Sequence, residues 1–327
     1  MTNTGPKNQF ATTILFLATL LCIPVLAQAA ASNSTEQCSL AVVSSLMAKS
    51  AKVCDSATVL RLAHRGQVYE QNQLGIASIL ALGPDYDARK ALKWFQKAAL
   101  NGYAPAQVNL AVMYANGWGA PQNFGIALQW FRAASQQHYA RADYNLGILY
   151  MQGTGVRQDY GEALRWFQKA ADAGDSSAET NLGYMYDSGL GVVANAGSAV
   201  LWYRRAAESG NPLGEYNLAD MYLQGKGVAH NDREAFQWFQ KAAQQGHTGA
   251  QIKLGYMYAQ GRGAKPDLEH AYTLITAASL AGDTRSNALL SSLERHLSTQ
   301  QITRAKARAA SLRSTSPSLM AATTLTP

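Results

Sequence analysis

The chain contains residue types that could ligate a metal ion or attack a substrate, but their spacing does not fit such chemistry. Its six histidines occur singly, without a His-Glu-x-x-His motif or an i, i+4 pair that would ligate zinc. No Ser-x-x-Lys motif exists, so the serine nucleophile signature of penicillin-recognising enzymes is missing. The sequence therefore predicts no metal site, no cofactor and no catalytic centre.

A Gly-x-Gly element is the nearest approach to a ligand-binding motif. It recurs five times, at Gly117/Gly119, Gly153/Gly155, Gly189/Gly191, Gly225/Gly227 and Gly261/Gly263. A phosphate-binding loop would need a third glycine or a following Lys-Ser/Thr, and neither occurs. The element is better explained as a turn, because glycine adopts positive φ at little cost and lets a helix end.

These turns belong to a repeat with a period of 36 residues. The period is marked by tryptophans at Trp94, Trp130, Trp166, Trp202 and Trp238, and by leucines at Leu74, Leu110, Leu146, Leu182, Leu218 and Leu254. A period of this length is typical of solenoids, in which each unit buries its apolar face only against its neighbours. Such repeats usually make binding surfaces.

One repeat unit is predicted to contain two helices. Apolar residues with a 3.6-residue period cover 106–116 and stop at Gly117, and a second set covers 124–135. We call the first helix of each unit helix A and the second helix B. Paired alanines should let the helices approach closely while Trp and Tyr fill the remaining core, and Lys169 should lie on the outer face. The predicted fold is an all-α solenoid of helical hairpins.

The residues from Ala142 to Val156, with Asp159, Ala163, Trp166-Phe167 and Lys169-Ala170-Ala171, resemble a Sel-1-like repeat, a relative of the tetratricopeptide repeat. This resemblance implies an α/α solenoid that serves as a protein-interaction scaffold. Five segments are predicted: a signal peptide at 1–29, a degenerate N-terminal helical cap at 30–69, six repeats at 70–285, C-terminal capping helices at 286–313 and a disordered tail at 314–327.

The N-terminus has the pattern of a secretory signal peptide. A single Lys7 precedes an apolar run from Phe10 to Leu26, and the small-residue exit Ala27-Gln28-Ala29 predicts cleavage after Ala29. The alternative is an uncleaved membrane anchor, although the run is shorter than the roughly 20 residues that a span needs. By analogy with exported Sel-1-like proteins, we expect a periplasmic or secreted protein with no transmembrane segment after cleavage.

The mature chain would keep two cysteines, Cys38 and Cys54, both in the degenerate first unit. In an oxidising compartment an even number of cysteines is compatible with a disulfide. Two buried reduced thiols are the alternative, because the residues lie at different distances from the expected turn and are offset along the helices. The sequence leaves both readings open.

Charge is concentrated at the C-terminal end. From Gly282 onward six basic residues face two acidic ones, so the formal net charge of +7 is mostly an end effect. The nearly neutral repeat body excludes a nucleic-acid binder, which should show a basic stripe. Ser298 and Gln301 have capping-box spacing and predict a last helix through Ile302, Ala305 and Ala309, whose basic outer face is either simply solvated or adheres to an acidic surface.

By resemblance to tetratricopeptide arrays, helix A is expected to line the concave side of the solenoid. An amide ladder and recurring tyrosines fall there, at Asn109, Asn145, Asn181, Asn217, Tyr144, Tyr184, Tyr216 and Tyr256. Amides bind a peptide backbone regardless of its sequence, and tyrosine adds rigid contact area. The predicted partner is a protein or peptide, or a cell-wall glycan stacked on the rings. The alternatives are that the asparagines bond locally between repeats and that the tyrosines simply pack.

A second functional hypothesis is a cell-wall enzyme. Some exported cysteine-rich members of the family are described as binding or hydrolysing β-lactams. Those members carry a cysteine pair in each repeat, whereas the central copies here have none. The binding scaffold is therefore the preferred interpretation.

Overall fold

The computed structural model describes residues 56–80 and 87–314, which form fifteen α-helices and no strand. This confirms the predicted all-α solenoid of helical hairpins. The predicted signal peptide, Cys38, Cys54 and the tail from residue 315 lie outside the described residues, so those expectations stay predictions.

The helices are, in chain order, α1 (Ser56–His64), α2 (Val68–Leu80), α3 (Ala88–Leu100), α4 (Ala104–Asn116), α5 (Phe124–Gln136), α6 (Ala140–Gln152), α7 (Tyr160–Asp172), α8 (Ser176–Ser188), α9 (Ala196–Glu208), α10 (Pro212–Gln224), α11 (Asp232–Gln244), α12 (Thr248–Gln260), α13 (Leu268–Leu280), α14 (Ser286–Glu294) and α15 (Thr299–Ser314). Helices A are the even-numbered α2 to α12, and helices B are the odd-numbered α3 to α13.

The chain divides into two compact units, the first ending at Ala173 and the second beginning at Gly174. The first unit contains α1 to α7, and the second contains α8 to α15. In each unit every helix A packs against the helix B that follows it, so the hairpin is the local building block. The hairpins stack through contacts between a helix B and the next helix A of the same unit, such as α5 with α6 and α11 with α12.

Glycine pairs end the helices A, as predicted, but the two glycines of a pair have different tasks. Gly225 ends α10 in the left-handed conformation with φ +67°, and its N–H bonds to Met221 O. Gly227 also has positive φ, and a Cβ there would lie 2.3 Å from Ala196 O, at the start of helix B in the preceding repeat. The second glycine therefore permits close packing between repeats, a role that the turn pattern alone did not reveal.

Each helix B begins with an Asp or Asn side chain that accepts a hydrogen bond from the backbone N–H three residues later. These N-caps are Asp87, Asn123, Asp159, Asn195, Asn231 and Asp267. The backbone N–H of the same residue often returns to helix A, as Asn195 N donates to Tyr186 O at 2.8 Å. One residue thus caps helix B with its side chain and connects it to helix A with its backbone N–H.

The centre of each hairpin is occupied by the residue after the periodic tryptophan. Phe95, Phe131, Phe167, Tyr203 and Phe239 are all buried. Trp94 is also buried, but Trp130, Trp166, Trp202 and Trp238 are only partly so. The expectation that the tryptophans fill the core was therefore wrong for four of the five. A helix turns about 100° per residue, so the tryptophan side chain points in a different direction from the aromatic residue that follows it.

The C-terminal helices close the second unit. Ser298 Oγ accepts from Gln301 N at 3.3 Å, and Gln301 Oε1 accepts from Ser298 N at 2.9 Å, so the predicted capping box is present. Ala305 and Ala309 are buried, and α15 packs on α13. Within α14, Leu293 is buried and Leu290 is partly buried.

Candidate protein-interaction surface

In the second unit, equivalent positions of three successive helices A bear an exposed tyrosine, an aspartate and a second exposed tyrosine. Tyr184 of α8, Asp220 of α10 and Tyr256 of α12 are 36 residues apart, and we call them the tyrosine row. The side chains of Tyr184 and Tyr256 are 49% and 43% exposed, among the most exposed large apolar residues of the described chain. Large exposed rings carry binding energy when a partner covers them.

The other two predicted tyrosines are placed differently. Tyr144 is only 6% exposed, and its ring packs 5.8 Å from that of Phe167. Tyr216 is half-buried between Phe239 at 5.6 Å and His247 at 4.7 Å. Both rings pack against helix B of their own repeat, so Tyr144 offers no ring face to a partner and Tyr216 offers little. The structure separates the four predicted tyrosines into a packing pair and an exposed pair.

Three of the four asparagines of the predicted ladder donate a hydrogen bond inside the protein. Asn109 Nδ2 donates to Asn72 Oδ1 in the preceding repeat at 2.9 Å. Asn145 and Asn181 donate to backbone carbonyls four residues earlier in their own helices. Asn217, in the second unit, is half-buried. One N–H of each of these three amides is therefore used inside the protein, between repeats for Asn109 and within a helix for Asn145 and Asn181.

A shallow depression lies between helices A of the first unit. Phe131 and Leu149 are at its base, and Val112, Asn116 and Asn145 are among the residues around it. Asn116 Nδ2 donates to Val112 O, so this amide at the rim already has a hydrogen-bond partner in its own helix. The depression is too small to serve as a ligand cavity by itself.

A buried polar row runs through the helices A three residues before each landmark leucine. It consists of Gln71, Gln107, Asp143, Glu179, Glu215 and Gln251, all at least nine-tenths buried. The three glutamines donate to a backbone carbonyl in the last turn of the preceding helix, as Gln107 does to Ala99 O at 3.2 Å. Sequence analysis missed this row, although its 36-residue period and its position beside a core leucine were visible.

The acidic members of the buried polar row have partners on helix B of the same repeat or at its end. Lys169 Nζ lies 2.9 Å from Asp143 Oδ1, and Arg205 Nη2 lies 3.0 Å from Glu179 Oε1. Glu215 instead accepts from Gln245 Nε2 at 2.9 Å. Lys169 was expected to lie on the outer face. Its ion pair with Asp143 instead links the two helices of its hairpin.

Basic side chains of helix B cover three of the periodic tryptophans. Lys169, Arg205 and Lys241 lie 5.2, 4.7 and 3.8 Å from the ring centroids of Trp166, Trp202 and Trp238, each three residues earlier on helix B. A cation over an indole face is attracted by the ring quadrupole and shields the ring from water. Trp166, Trp202 and Trp238 thus lie partly exposed at the edge of their hairpins, each under a basic side chain.

Burial changes the ionisation of two groups in the fifth repeat. Desolvation raises the pKa of Glu215 to about 6, although Gln245 and Lys241 act in the opposite direction. Desolvation and the nearby Arg285 lower the pKa of His247 to about 4. His247 caps α12, with its Nδ1 accepting from Ala250 N at 3.0 Å, so the cap requires a neutral imidazole.

One cluster in the described chain superficially resembles a serine–lysine nucleophile. Lys169 Nζ lies 2.8 Å from Ser135 Oγ, and Ser135 donates to Asp143. Ser135 is buried and its hydroxyl donates to the Asp143 carboxylate, which is also ion-paired with Lys169, so the hydroxyl is not held as a free nucleophile. Among the described residues no group of three or more metal-ligating side chains comes together. The cluster joins the helix B of one repeat to the hairpin of the next.

Within the part of the chain that the structure describes, no helix has the length and apolar character needed to cross a bilayer.

Stacked hairpins with exposed helix faces define the class of an all-α repeat scaffold. The chain belongs to the Sel1 repeat family, whose model matches it at residues 71–103, 104–139, 140–175, 176–211, 212–247 and 248–283. This confirms the resemblance found in the sequence. Sel1 repeat proteins act as protein-interaction scaffolds and are generally non-catalytic.

The chain is also similar to several solved structures. A Sel1 repeat protein from Oxalobacter formigenes is 32% identical, with a TM-score of 0.59 over 65% of this chain and 86% of that one. The protective antigen c5321 of uropathogenic Escherichia coli, which displays an SLR fold, is 22% identical, with a TM-score of 0.44 over 91% of this chain and 96% of that one. Immunity protein Pa5087 of Pseudomonas aeruginosa is 18% identical, with a TM-score of 0.47 over 81% and 89%. Comparison with curated proteins gave no match.

Proposed function

We propose that this Sel1 repeat protein is an exported, non-catalytic scaffold that holds a peptide, protein or other envelope partner on the tyrosine row of its second unit. The observation that carries the proposal is the exposure of Tyr184 and Tyr256 at equivalent positions of two helices A. The helix between them supplies Asp220, which is half-buried. Aromatic rings held on rigid helices lose little conformational freedom when a partner covers them.

Contacts between repeats hold the row in place. Lys253 Nζ of α12 lies 3.1 Å from Asp220 Oδ1 of α10, and Lys226 Nζ lies 2.6 Å from Asp187 Oδ1 of α8. These ion pairs join three successive repeats along the face that bears the tyrosines. Their partial exposure makes each pair weak alone, but together they limit how neighbouring helices A can shift. The surface is thus pre-organised rather than assembled on binding.

The test is capture from an envelope extract with the mature protein, comparing wild type with a Tyr184→Ala/Tyr256→Ala variant. We expect retention of the partner to fall about tenfold or more in the variant, because each lost aromatic anchor can cost about 1 kcal/mol or more. The matched control is Leu201→Ala, which removes an exposed apolar side chain from helix B of the repeat that contains Tyr184. Equal capture by all three proteins would contradict the proposal.

Export is a separate part of the proposal and has its own test. The apolar run and the Ala27-Gln28-Ala29 exit support cleavage after Ala29. Sequencing of exported protein should therefore find Ala30 or a neighbouring residue at the N-terminus. Intact Met1 on membrane-embedded material would support an anchor instead.

The non-catalytic part is tested by nitrocefin turnover. We expect the purified mature protein to show no more turnover than buffer, because the one serine–lysine contact among the described residues joins a buried serine to an ion-paired lysine. Turnover that Lys169→Met abolishes without unfolding the protein would establish the enzyme alternative.

A further inference from the structure

The first helix B, α3, has four cations and an exposed leucine on one side. Arg89, Lys90, Lys93 and Lys97 are exposed, and Leu100 at the end of the helix is 76% exposed. At 100° per residue these five side chains fall within an arc of about 100°. The buried residues of α3 lie on the opposite side, against the core. We call the five exposed side chains the basic face.

Helix α1 adds two cations beside the basic face. His64 of α1 packs edge-on against Trp94 of α3, with the ring centroids 5.3 Å apart. Lys97 Nζ lies 4.6 Å from the centroid of the same indole. Arg61, one turn before His64, and Arg65, directly after it, are both exposed. Six cations of the first unit therefore lie close together.

The positive charge of the basic face is not balanced within the described chain. None of the first three cations of α3 forms an ion pair with another described residue. Of the three acidic residues between 56 and 103, Glu70 is buried, Asp87 caps α3 by accepting from Lys90 N, and Asp85 lies outside the described residues. Cations in the first turn of a helix face the positive end of its dipole, and like charges one turn apart repel each other. The basic face therefore lowers the stability of α3.

The repeat itself does not require these charges. At the positions of Arg89, Lys90 and Lys93, the next three helices B have a single cation, Arg165, and it is paired with Glu162. A surface that departs from the rules of a stable helix, at positions that the fold leaves free, indicates a function outside the fold. Charge complementarity makes the partner of this surface anionic.

Two observations favour a lipid surface as that partner. The predicted signal segment directs the chain to a membrane, whether it is cleaved or kept as an anchor. Leu100 is on the basic face, and Leu60 of α1 is 41% exposed. Cations beside exposed leucines can lie at lipid head groups while the leucines enter the boundary with the acyl chains. An acidic peptide or a nucleic-acid backbone would gain little from the leucines.

We infer that the basic face attaches the first unit to a membrane surface that contains anionic phospholipids, with its cations at the head groups and Leu100 at the boundary with the acyl chains. This inference goes beyond the proposed function, because it assigns a second surface that includes no residue of the tyrosine row. The two share only the expectation that the chain is exported.

The test is co-sedimentation of the purified mature protein with vesicles of phosphatidylcholine alone and with vesicles in which about a third of the lipid is phosphatidylglycerol. We expect binding to the anionic vesicles only, and loss of most of it at about 0.5 M salt because salt screens the charges. Arg89→Gln/Lys90→Gln/Lys93→Gln should weaken this binding about tenfold or more. The matched control, Arg304→Gln/Lys306→Gln/Arg308→Gln, removes as many cations from α15 and should bind like wild type.

A second pair of variants tests the contact with the lipid boundary. Leu100→Ser should weaken binding to anionic vesicles severalfold. Leu280→Ser changes the same repeat position at the end of α13, where the side chain is 42% exposed, and should have no effect. Melting curves check the fold. The triple glutamine variant of α3 should be no less stable than wild type, because it removes like-charge repulsion.

Three outcomes would overturn the inference. Equal vesicle binding by wild type and the α3 variant, or an equal loss in the α15 variant, would show that the basic face is not the attachment site. Salt-sensitive binding to polyglutamate or duplex DNA without binding to vesicles would show that its partner is not a lipid surface. All of these results leave the capture assay with Tyr184 and Tyr256 unaffected, so the proposed function stands or fails separately.

Discussion

Glu215 is a carboxyl group that burial holds in an unfavourable environment. It is 3% exposed and accepts from the neutral Gln245, whereas Asp143 and Glu179 at equivalent positions have a cation within 3.0 Å. The cation at the equivalent position, Lys241, lies over Trp238 at 3.8 Å from the ring centroid. The folded protein therefore favours the protonated form of Glu215 more than the unfolded chain does.

This predicts the effect of Glu215→Gln. Because the folded pKa of about 6 exceeds the ordinary 4.5, wild type should lose stability as pH rises from 4.5 through 6. The variant should lack this loss and be more stable than wild type by about 1–2 kcal/mol at pH 7, with little difference at pH 4. Gln107 and Gln251 show that the amide fits the site. Urea denaturation at both pH values measures the difference, and a less stable variant at pH 7 would contradict the argument.

His247 should act in the opposite direction. Its folded pKa of about 4 is below the ordinary 6.5, so its contribution to stability is present above pH 6.5 and is lost as pH falls through 4. His247→Asn should keep the cap, as Asn211 caps α10, without the titration. We expect the variant to gain about 1–2 kcal/mol relative to wild type at pH 4.5, and nothing at pH 8.

The two titrations overlap in pH and oppose each other in wild type. The stability of wild type should therefore vary less between pH 4.5 and 6.5 than that of either variant. Melting curves of all three proteins over this range make the comparison. Parallel pH profiles would show that neither group is coupled to folding.

At the scale of the helix, the second glycine of each turn tests how closely repeats pack. Gly227 and Gly210 both have positive φ. A Cβ at Gly227 would lie 2.3 Å from Ala196 O, whereas a Cβ at Gly210 would have no neighbouring atom within 4 Å. Gly210→Ala should cost about 1 kcal/mol from backbone strain alone. Gly227→Ala should cost about 1–3 kcal/mol more, because neighbouring repeats must separate. Chemical denaturation of the two variants measures the loss of unfolding free energy. Equal losses would argue against close packing of Gly227 on Ala196.

The hairpin core gives a second comparison at this scale. Phe167→Ala should cost about 3–5 kcal/mol because the ring is fully buried. Trp166→Ala should cost clearly less, since its ring is partly exposed beneath Lys169. Guanidinium unfolding followed by circular dichroism measures both. A larger loss at Trp166 would restore the tryptophan to the core role that its periodicity first suggested.

The helices and their order were predictable because each end carries a local signal. Gly117 and its equivalents stop helices A, and apolar periodicity within 106–116 and 124–135 located both helices of a hairpin to within two residues. The inward direction of individual side chains was not predictable to the same degree. Trp166 and Phe167 are adjacent and both aromatic, so the pattern could not tell which one faces the core.

The binding surface was predictable only in part, and for a related reason. Tyr144 and Tyr184 both lie on helices A and both looked available, but a 3.6-residue period does not show how much neighbouring repeats cover each face. Tyr144 is covered and Tyr184 is not. The commitment of the Asn145 and Asn181 donors to carbonyls four residues back was likewise invisible in the sequence. These bonds depend on a rotamer choice rather than on residue type.

At the scale of the whole molecule, the two compact units differ in the chemistry of their helices A. At the position that bears Tyr184 and Tyr256 in the second unit, the first unit has Val112 and Ile148, both buried. Exposed aromatic residues of helix A are thus confined to the second unit among the described residues. Solenoid stability depends mainly on neighbouring repeats. The first unit can therefore support the fold without taking part in recognition.

The most direct test of the central claim is hydroxyl-radical footprinting of the mature protein with and without its captured partner. The account predicts strong protection of Tyr184 and Tyr256 in the complex, with Leu201 on helix B equally reactive in both samples. Protection of Leu201 or of the C-terminal helix α15, with unchanged reactivity of the two tyrosines, would contradict it and place the binding surface elsewhere.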